Sequence, residues 1–273
     1  FGVTDAKVGL VGAAVSDHPE IDSICSQLSK LGIRISVSSL RADAITDRIA
    51  DTLVSSGHKT VSLAPEAGSE RLRKVIKKDL REDDILRAAE IIFSKGIPNL
   101  KLYFMIGLPT ETIEDIDSIV TLTKKVHDIQ LSAGRIKGSI GRITLSVNCF
   151  VPKPFTPFQW CSMNSIEDLK VKLKYLKKSI SGIRNTNMIH DLPKWAHLQG
   201  MLSRGDRRLS GVLERMIKID DWRKDASDTG IDPSFYTMRE RYMDEVFPWE
   251  IIDIGVKREY LWKEYQKAMY NIT

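Results

Sequence analysis

From Lys7 to about Cys161, short runs rich in β-branched residues alternate with longer stretches whose apolar positions recur every three or four residues. A period of two marks a strand and a period near 3.6 a helix, so the alternation predicts parallel strands joined by crossover helices. The first strand is predicted over Lys7 to Ala14. Asp17 then caps a helix with Pro19 in its first turn, Ile21, Ile24, Cys25, Leu28 and Leu31 on one stripe, and Gly32 at its end. Ile33, Ile35 and Val37 alternate with Arg34, Ser36 and Ser38 as a second strand, and Ile45, Ile49 and Leu53 mark a helix that Gly57 stops. Thr60 to Ala64 reads as a third strand, followed by two helical pieces that meet near Leu80-Arg81-Glu82 and end at Gly96. Leu100 to Ile106 is the fourth strand. After it, Thr112 and Asp115 form a capping-box pattern ahead of the stripe Ile116, Ile119, Val120 and Val126. Ile143, Leu145, Val147 and Cys149 alternate through a fifth strand. Five such units without a sequence repeat favour an α/β barrel or a doubly wound sheet.

The pattern changes at Val151 to Trp160, which holds Pro152, Pro154 and Pro157. From Ser165 onward only helical patterning is visible: Ser165 to Ser179, then about Leu192 to Ser203, Asp206 to Ile219, Pro233 to Val246 and Val256 to Tyr270. This predicts an α/β part over residues 1–161 and an all-helical extension over 162–273. Trp195, Trp222, Trp249 and Trp262 are expected as anchors that dock the helices of the extension.

Composition narrows the class. The 273 residues are 42% hydrophobic and 28% charged, ordinary for a soluble globular chain. No apolar run reaches the ~20 residues a membrane span needs, and the opening residues lack a signal-peptide pattern, so a cytoplasmic protein with no membrane partner is expected. The chain opens on Phe1 without an initiator Met, which fits a piece of a longer protein. Its +5 charge is a mild bias toward nucleic acid or a phosphorylated ligand. Cys25, Cys149 and Cys161 match no zinc or redox spacing and read as reduced thiols in or near the core.

In parallel α/β folds the ligand lies beyond the carboxyl ends of the strands. Those ends read Gly12-Ala13-Ala14, Ser38-Ser39-Leu40-Arg41, Pro65-Glu66-Ala67-Gly68-Ser69, Gly107-Leu108-Pro109-Thr110-Glu111-Thr112, and the proline-rich run from Val151. Small residues admit a ligand to the backbone, while Arg41, Glu66 and Arg73 offer charge for an amino acid or for ribose hydroxyls.

The stretch Tyr103-Phe104-Met105-Ile106-Gly107-Leu108-Pro109-Thr110-Glu111-Thr112 closely resembles the fifth strand and turn of radical S-adenosylmethionine (SAM) enzymes. Glu66-Ala67-Gly68-Ser69-Glu70-Arg71-Leu72 is similar to their fourth-strand end, and the proline-rich run resembles the end of the sixth strand in the methylthiotransferase and cobalamin-linked branches. With Ser203-Arg204-Gly205-Asp206-Arg207-Arg208, the chain resembles an uncharacterised radical SAM branch often joined to a cobalamin-binding-like domain. The resemblance implies a partial (β/α)6 barrel, strands two to six present, followed by the helical extension. It also implies SAM and a four-iron, four-sulfur cluster in the full-length protein, an electron donor, and cobalamin through an upstream domain.

The family's C-x-x-x-C-x-x-C loop is absent from this sequence, so the piece alone is expected to bind no cluster and to be inactive. By resemblance, Gly12, Ala13 and Ala14 meet the methionine amine, Ser38 or Glu66 the ribose, Arg41 or Arg73 the carboxylate, and the backbone near Met105, Gly107 and Val151 the adenine. Gly12-Ala13-Ala14 stands where many relatives have Gly-Gly-Glu, which leaves the amine to backbone groups.

Structural roles compete with each assignment. Glu66 would serve as a helix cap, Arg41 and Arg73 as surface ion-pair formers, His18 as a helix-start residue, and the proline-rich run as a rigid linker. Arg204 to Arg208 fits a capped, solvated helix start or a phosphate contact. The leading functional expectation is most of the catalytic domain of a radical SAM enzyme acting on an unknown substrate. RNA-directed methyl or methylthio transfer and a non-catalytic scaffold for RNA or protein are the alternatives.

Overall fold

The computed structural model describes residues 6–12, 15–37, 40–217 and 222–270. In chain order it contains β1 (Lys7–Leu10), α1 (Ile21–Lys30), β2 (Arg34–Val37), α2 (Asp47–Ser55), β3 (Thr60–Glu66), α3 (Glu70–Val75), α4 (Glu82–Ser94), β4 (Asn99–Ile106), α5 (Ile113–Lys137), β5 (Ile143–Cys149), α6 (Ile166–Ser181) and β6 (Thr186–His190). The helices α7 (Pro193–Ser203), α8 (Ser210–Met216), α9 (Trp222–Asp228), α10 (Pro233–Thr237) and α11 (Arg258–Tyr270) follow. The chain divides into two compact units: Phe1–Phe104 with Thr112–Val147 and Tyr175–Ile189, and Met105–Glu111 with Asn148–Lys174 and His190–Thr273.

The first unit carries the sheet. β1 pairs with β2 in parallel, and the strands β3-β4-β5-β6 form a four-stranded sheet in sequence order. A parallel bridge from Leu40 to Leu63, with the Leu40 N–H donating to Ser62 O at 3.2 Å, places the chain just after β2 beside β3. β3 and β4 are parallel. The Leu100 N–H meets Arg142 O at the start of β4 and β5, and the Phe150 N–H meets Ile106 O at their ends, so these strands also run the same way. Sequential parallel strands with intervening helices make the expected partial-barrel order. The strand β6 is not expected from the sequence, which shows only helical patterning after Ser165 and leaves this stretch between two predicted helices. It begins beside β5, with the Ile143 N–H donating to Asn185 O at 2.9 Å.

Each sheet face has a distinct composition. Val61 and Leu63, Leu100, Leu102, Phe104 and Ile106, and Ile143, Leu145 and Val147 are buried. Their alternating partners Ser62, Glu66, Lys101, Tyr103 and Thr144 are half-buried and mostly polar. A parallel sheet covered on both faces reads as unbroken apolar runs. The alternation here therefore marks one face packed under helices and one open face. The packed face meets helices with buried stripes, such as Ile85, Ala88, Ala89, Ile92 and Phe93 of α4, which packs on α5.

The second unit is built around aromatic rings. Trp160, in the short 3-10 turn Pro157–Trp160, is fully buried and meets Trp262 edge-on at 5.0 Å between centroids. Phe247 and Trp249 stack at 4.7 Å. Trp222 joins Leu198, Met201, Leu209, Val212 and Tyr236 in a separate cluster. Trp195 is no anchor: it is 41% exposed, with the Lys194 ammonium over its ring. The proline-rich run is thus packed structure, and its Gln159 accepts from the Trp249 indole N–H at 3.0 Å. No helix among the described residues is long and apolar enough to cross a membrane.

Candidate functional site

In the first unit the best-built strand end is that of β3. Pro65 has no N–H to donate, and the register against β4 shifts between Leu63 and Glu66. Glu66 then takes a left-handed backbone conformation, with φ of 68°. A non-glycine residue pays roughly 1–2 kcal/mol there, so neighbouring contacts must hold it. Glu66 does not cap the helix that follows. Ser69 does, accepting from the Leu72 N–H at 3.1 Å, which leaves the Glu66 carboxylate outside the capping network. That carboxylate lies 3.8 Å from Lys78 Nζ, and burial raises its pKa against the opposing pull of Lys78.

The turn after Glu66 is locked from two sides. Arg73, expected as an alternative partner for a ligand carboxylate, is instead fully buried. Its Nε donates to Leu80 O at 2.8 Å, and its Nη1 to Ala67 O and Gly68 O at 2.9 and 3.0 Å. It also lies 4.0 Å from Glu70 as a buried ion-pair partner, and it offers no exposed surface to a ligand. From the other side, Asp115 of α5 accepts from Ser69 Oγ, from Arg71 and from the Thr112 N–H. Burial alone would raise the Asp115 carboxyl, but these donors outweigh it and hold the group below the ordinary aspartate range. Gly68 completes the contact: a Cβ built there would sit 2.3 Å from Ile119 N.

Arg41 keeps partial access, with its side chain 36% exposed, but is heavily paired. It binds Asp43 through Nε and Nη2 at 3.1 and 2.6 Å and lies 3.4 Å from Asp17. His18 takes the helix-start role, its Nδ1 accepting from the Glu20 N–H at 3.1 Å. Gly12 is exposed. Ala13, Ala14 and Ser38 lie outside the described residues.

In the second unit, Met105 and Val151 are half-buried at the ends of β4 and just after β5. Gly107 has φ of 76°, and a Cβ there would meet Leu169 at 2.9 Å, so both conformation and space demand glycine. Glu111, with its side chain 1% exposed, folds back over this turn. Its Oε1 accepts from the Gly107 N–H at 2.9 Å and from Lys172 Nζ at 2.6 Å, and Lys172 also donates to Asn164 Oδ1 at 2.6 Å. Burial raises the Glu111 carboxyl while Lys172 opposes the rise. Glu111 stands within a recognisable sequence motif, whereas its partners Lys172 and Asn164 carry no local sequence signal.

The three cysteines do not fit an iron–sulfur cluster. Cys25 lies in α1, Cys149 ends β5 and Cys161 follows the turn of Trp160, and each is buried. Burial pushes Cys149 up to about 11 and Cys161 to about 12, so both are neutral thiols at neutral pH. The basic Arg204 to Arg208 segment is occupied by structure. Arg204 is fully buried against the carbonyls of Cys161 and Thr237, and Arg208 pairs with Asp206, which also accepts from the Arg208 N–H at 2.9 Å.

The sequence profile of the Radical SAM superfamily matches residues 5–123. The uncharacterized protein MJ0966 of Methanocaldococcus jannaschii is 40% identical over 218 residues, taking in 76% of this chain and 43% of the relative. The chain thus spans less than half the length of that curated relative. Streptococcus suis SuiB aligns with a TM-score of 0.42 at 15% identity, covering 68% of this chain and 39% of SuiB. Dihydrodipicolinate synthase from Oceanobacillus iheyensis aligns with a TM-score of 0.23 at 8% identity, covering 94% of this chain and 91% of the synthase. Neither structural likeness is close enough to add to the strand order described above. Over residues 5–123, then, what this chain is similar to is the Radical SAM superfamily.

Proposed function

We propose that this chain supplies SAM-binding strand ends to a longer enzyme that starts radical chemistry on its substrate. SAM, when bound in such enzymes and reduced, supplies the adenosyl radical. The cluster ligands are assigned to a part of the protein outside this sequence, because the three cysteines here lie in separate buried positions. The observation that carries the reading is Glu66: a partly exposed carboxylate at a strand end, held in left-handed backbone and relieved of capping by Ser69.

In this reading Glu66 accepts from the ribose hydroxyls and Arg41 receives the methionine carboxylate. Gly12 faces the amine, with Ala13, Ala14 and Ser38 keeping the roles the resemblance implies. In the second unit, Met105, Gly107 and Val151 keep the adenine role the resemblance implies, with the Gly107 turn fixed by Glu111. Arg73 takes no part in binding and acts as a positioning residue for the Glu66 turn.

A charge-assisted hydrogen bond contributes ~1.5–3 kcal/mol, so Arg41→Ala is expected to weaken SAM binding by the full-length protein about tenfold or more. Glu66→Ala is expected to weaken it by a similar factor, and equilibrium dialysis with labelled SAM checks both. Unchanged affinity in both variants would remove these residues from the site.

A further inference from the structure

The opposite end of the strands, where β3 to β6 begin, carries an open cavity of about 540 Å³ in the first unit. Its wall includes Lys101 and Arg142, and no lining residue is acidic. The neutral groups beside them, among them Thr60, Thr144 and Asn185, are rich in hydrogen-bonding atoms. Lys101 stands on the half-buried polar face of β4 with its ammonium 4.6 Å from the Tyr103 ring centroid. Neither Lys101 nor Arg142 meets a carboxylate among the described residues, whereas Lys78, Lys95, Lys125 and Arg71 of the same unit each meet one. The neighbouring strand starts add Lys59 before β3 and Arg184 before β6, both exposed. Adjacent strands lie ~4.8 Å apart, so four like charges fall along a short edge, and none of them meets a carboxylate among the described residues.

We propose that this mouth is an anion site that takes the phosphate end of a small phosphorylated ligand. Two cations flanked by neutral hydroxyls and amides suit a multi-oxygen dianion, and the cavity falls within the usual ~300–1,000 Å³ of small-molecule pockets. The volume leaves room for an organic body of nucleotide size beyond the phosphate. The site lies away from the strand ends assigned above to SAM and stands independently of that assignment.

Inorganic pyrophosphate is the probe, titrated calorimetrically into the 273-residue chain in phosphate-free, low-salt buffer. One saturable site is expected, weakened at least fivefold by Arg142→Gln and by Lys101→Gln and unchanged by Lys174→Gln on the exposed surface of α6. Arg142 is exposed, so its replacement leaves the packing intact, and circular dichroism verifies the fold of each variant. Absence of saturable binding, or binding indifferent to both Lys101 and Arg142, would overturn the proposal. So would a single-stranded RNA that uses the same two residues and binds far more tightly than pyrophosphate, since the edge would then read a polyanion.

Discussion

Arg73→Leu is expected to destabilise the first unit by about 3 kcal/mol or more. The wild-type guanidinium is fully buried and satisfies the carbonyls of Ala67, Gly68 and Leu80. Leucine fills much of the volume but donates nothing, and each buried acceptor left unpaired costs about 1–3 kcal/mol. Desolvation works against the native arginine: burial lowers its pKa, with Glu70 and Glu82 opposing. That penalty is recovered when the charge is removed, which sets the estimate at the low end of the summed carbonyl losses. Arg73→Lys separates hydrogen bonding from charge, because one ammonium lacks the planar fork that reaches both Leu80 on one side and the Ala67-Gly68 turn on the other. Lysine should recover less than half of the loss. Urea unfolding of the three proteins measures it, and a leucine variant within 1 kcal/mol of wild type would show that water or backbone shifts satisfy these carbonyls.

Gly68→Ala is expected to cost a comparable ~3 kcal/mol for a different reason. The added Cβ would lie 2.3 Å from Ile119 N and 2.7 Å from both Asp115 O and the Ser118 carbonyl carbon. All three are backbone atoms of α5, so no side chain can swing away, and overpacking against such a wall falls at the upper end of its ~1–3 kcal/mol range. Moving α5 outward would also loosen Asp115 from Ser69 and Arg71. Gly57 supplies the control. It has φ of 80° and nothing within 4 Å of a built Cβ, so alanine there incurs only the left-handed backbone penalty of ~1 kcal/mol. Equal losses at the two positions would argue against the close approach of the β3–α3 turn to α5.

The sequence exposed the elements whose side chains alternate against a covered face. β5 was read from Ile143 to Cys149 as it stands, and β4 differs by a single residue at its start. β6 escaped because Thr186-Asn187-Met188-Ile189-His190 is partly exposed along its length and gives no period of two. The strand ends at Glu66 and Gly107 are legible because a strand followed by special backbone leaves a local signature. Arg73 was misplaced because a buried arginine and a surface arginine look alike in sequence; the apolar neighbours Leu72 and Val75 were the available hint. The pairing of Glu111 with Lys172 spans 61 positions, beyond any local pattern.

In the proposed function these strand ends serve SAM chemistry whose cluster ligands lie outside this sequence. Anaerobic reconstitution with iron and sulfide, followed by a reductive SAM-cleavage assay, tests it on the full-length protein beside the 273-residue chain. Methionine and 5′-deoxyadenosine are expected in equal amounts from the full-length protein and neither from the chain alone. A full-length protein that holds a stoichiometric cluster yet leaves SAM intact, or an isolated chain that cleaves it, would rule this function out.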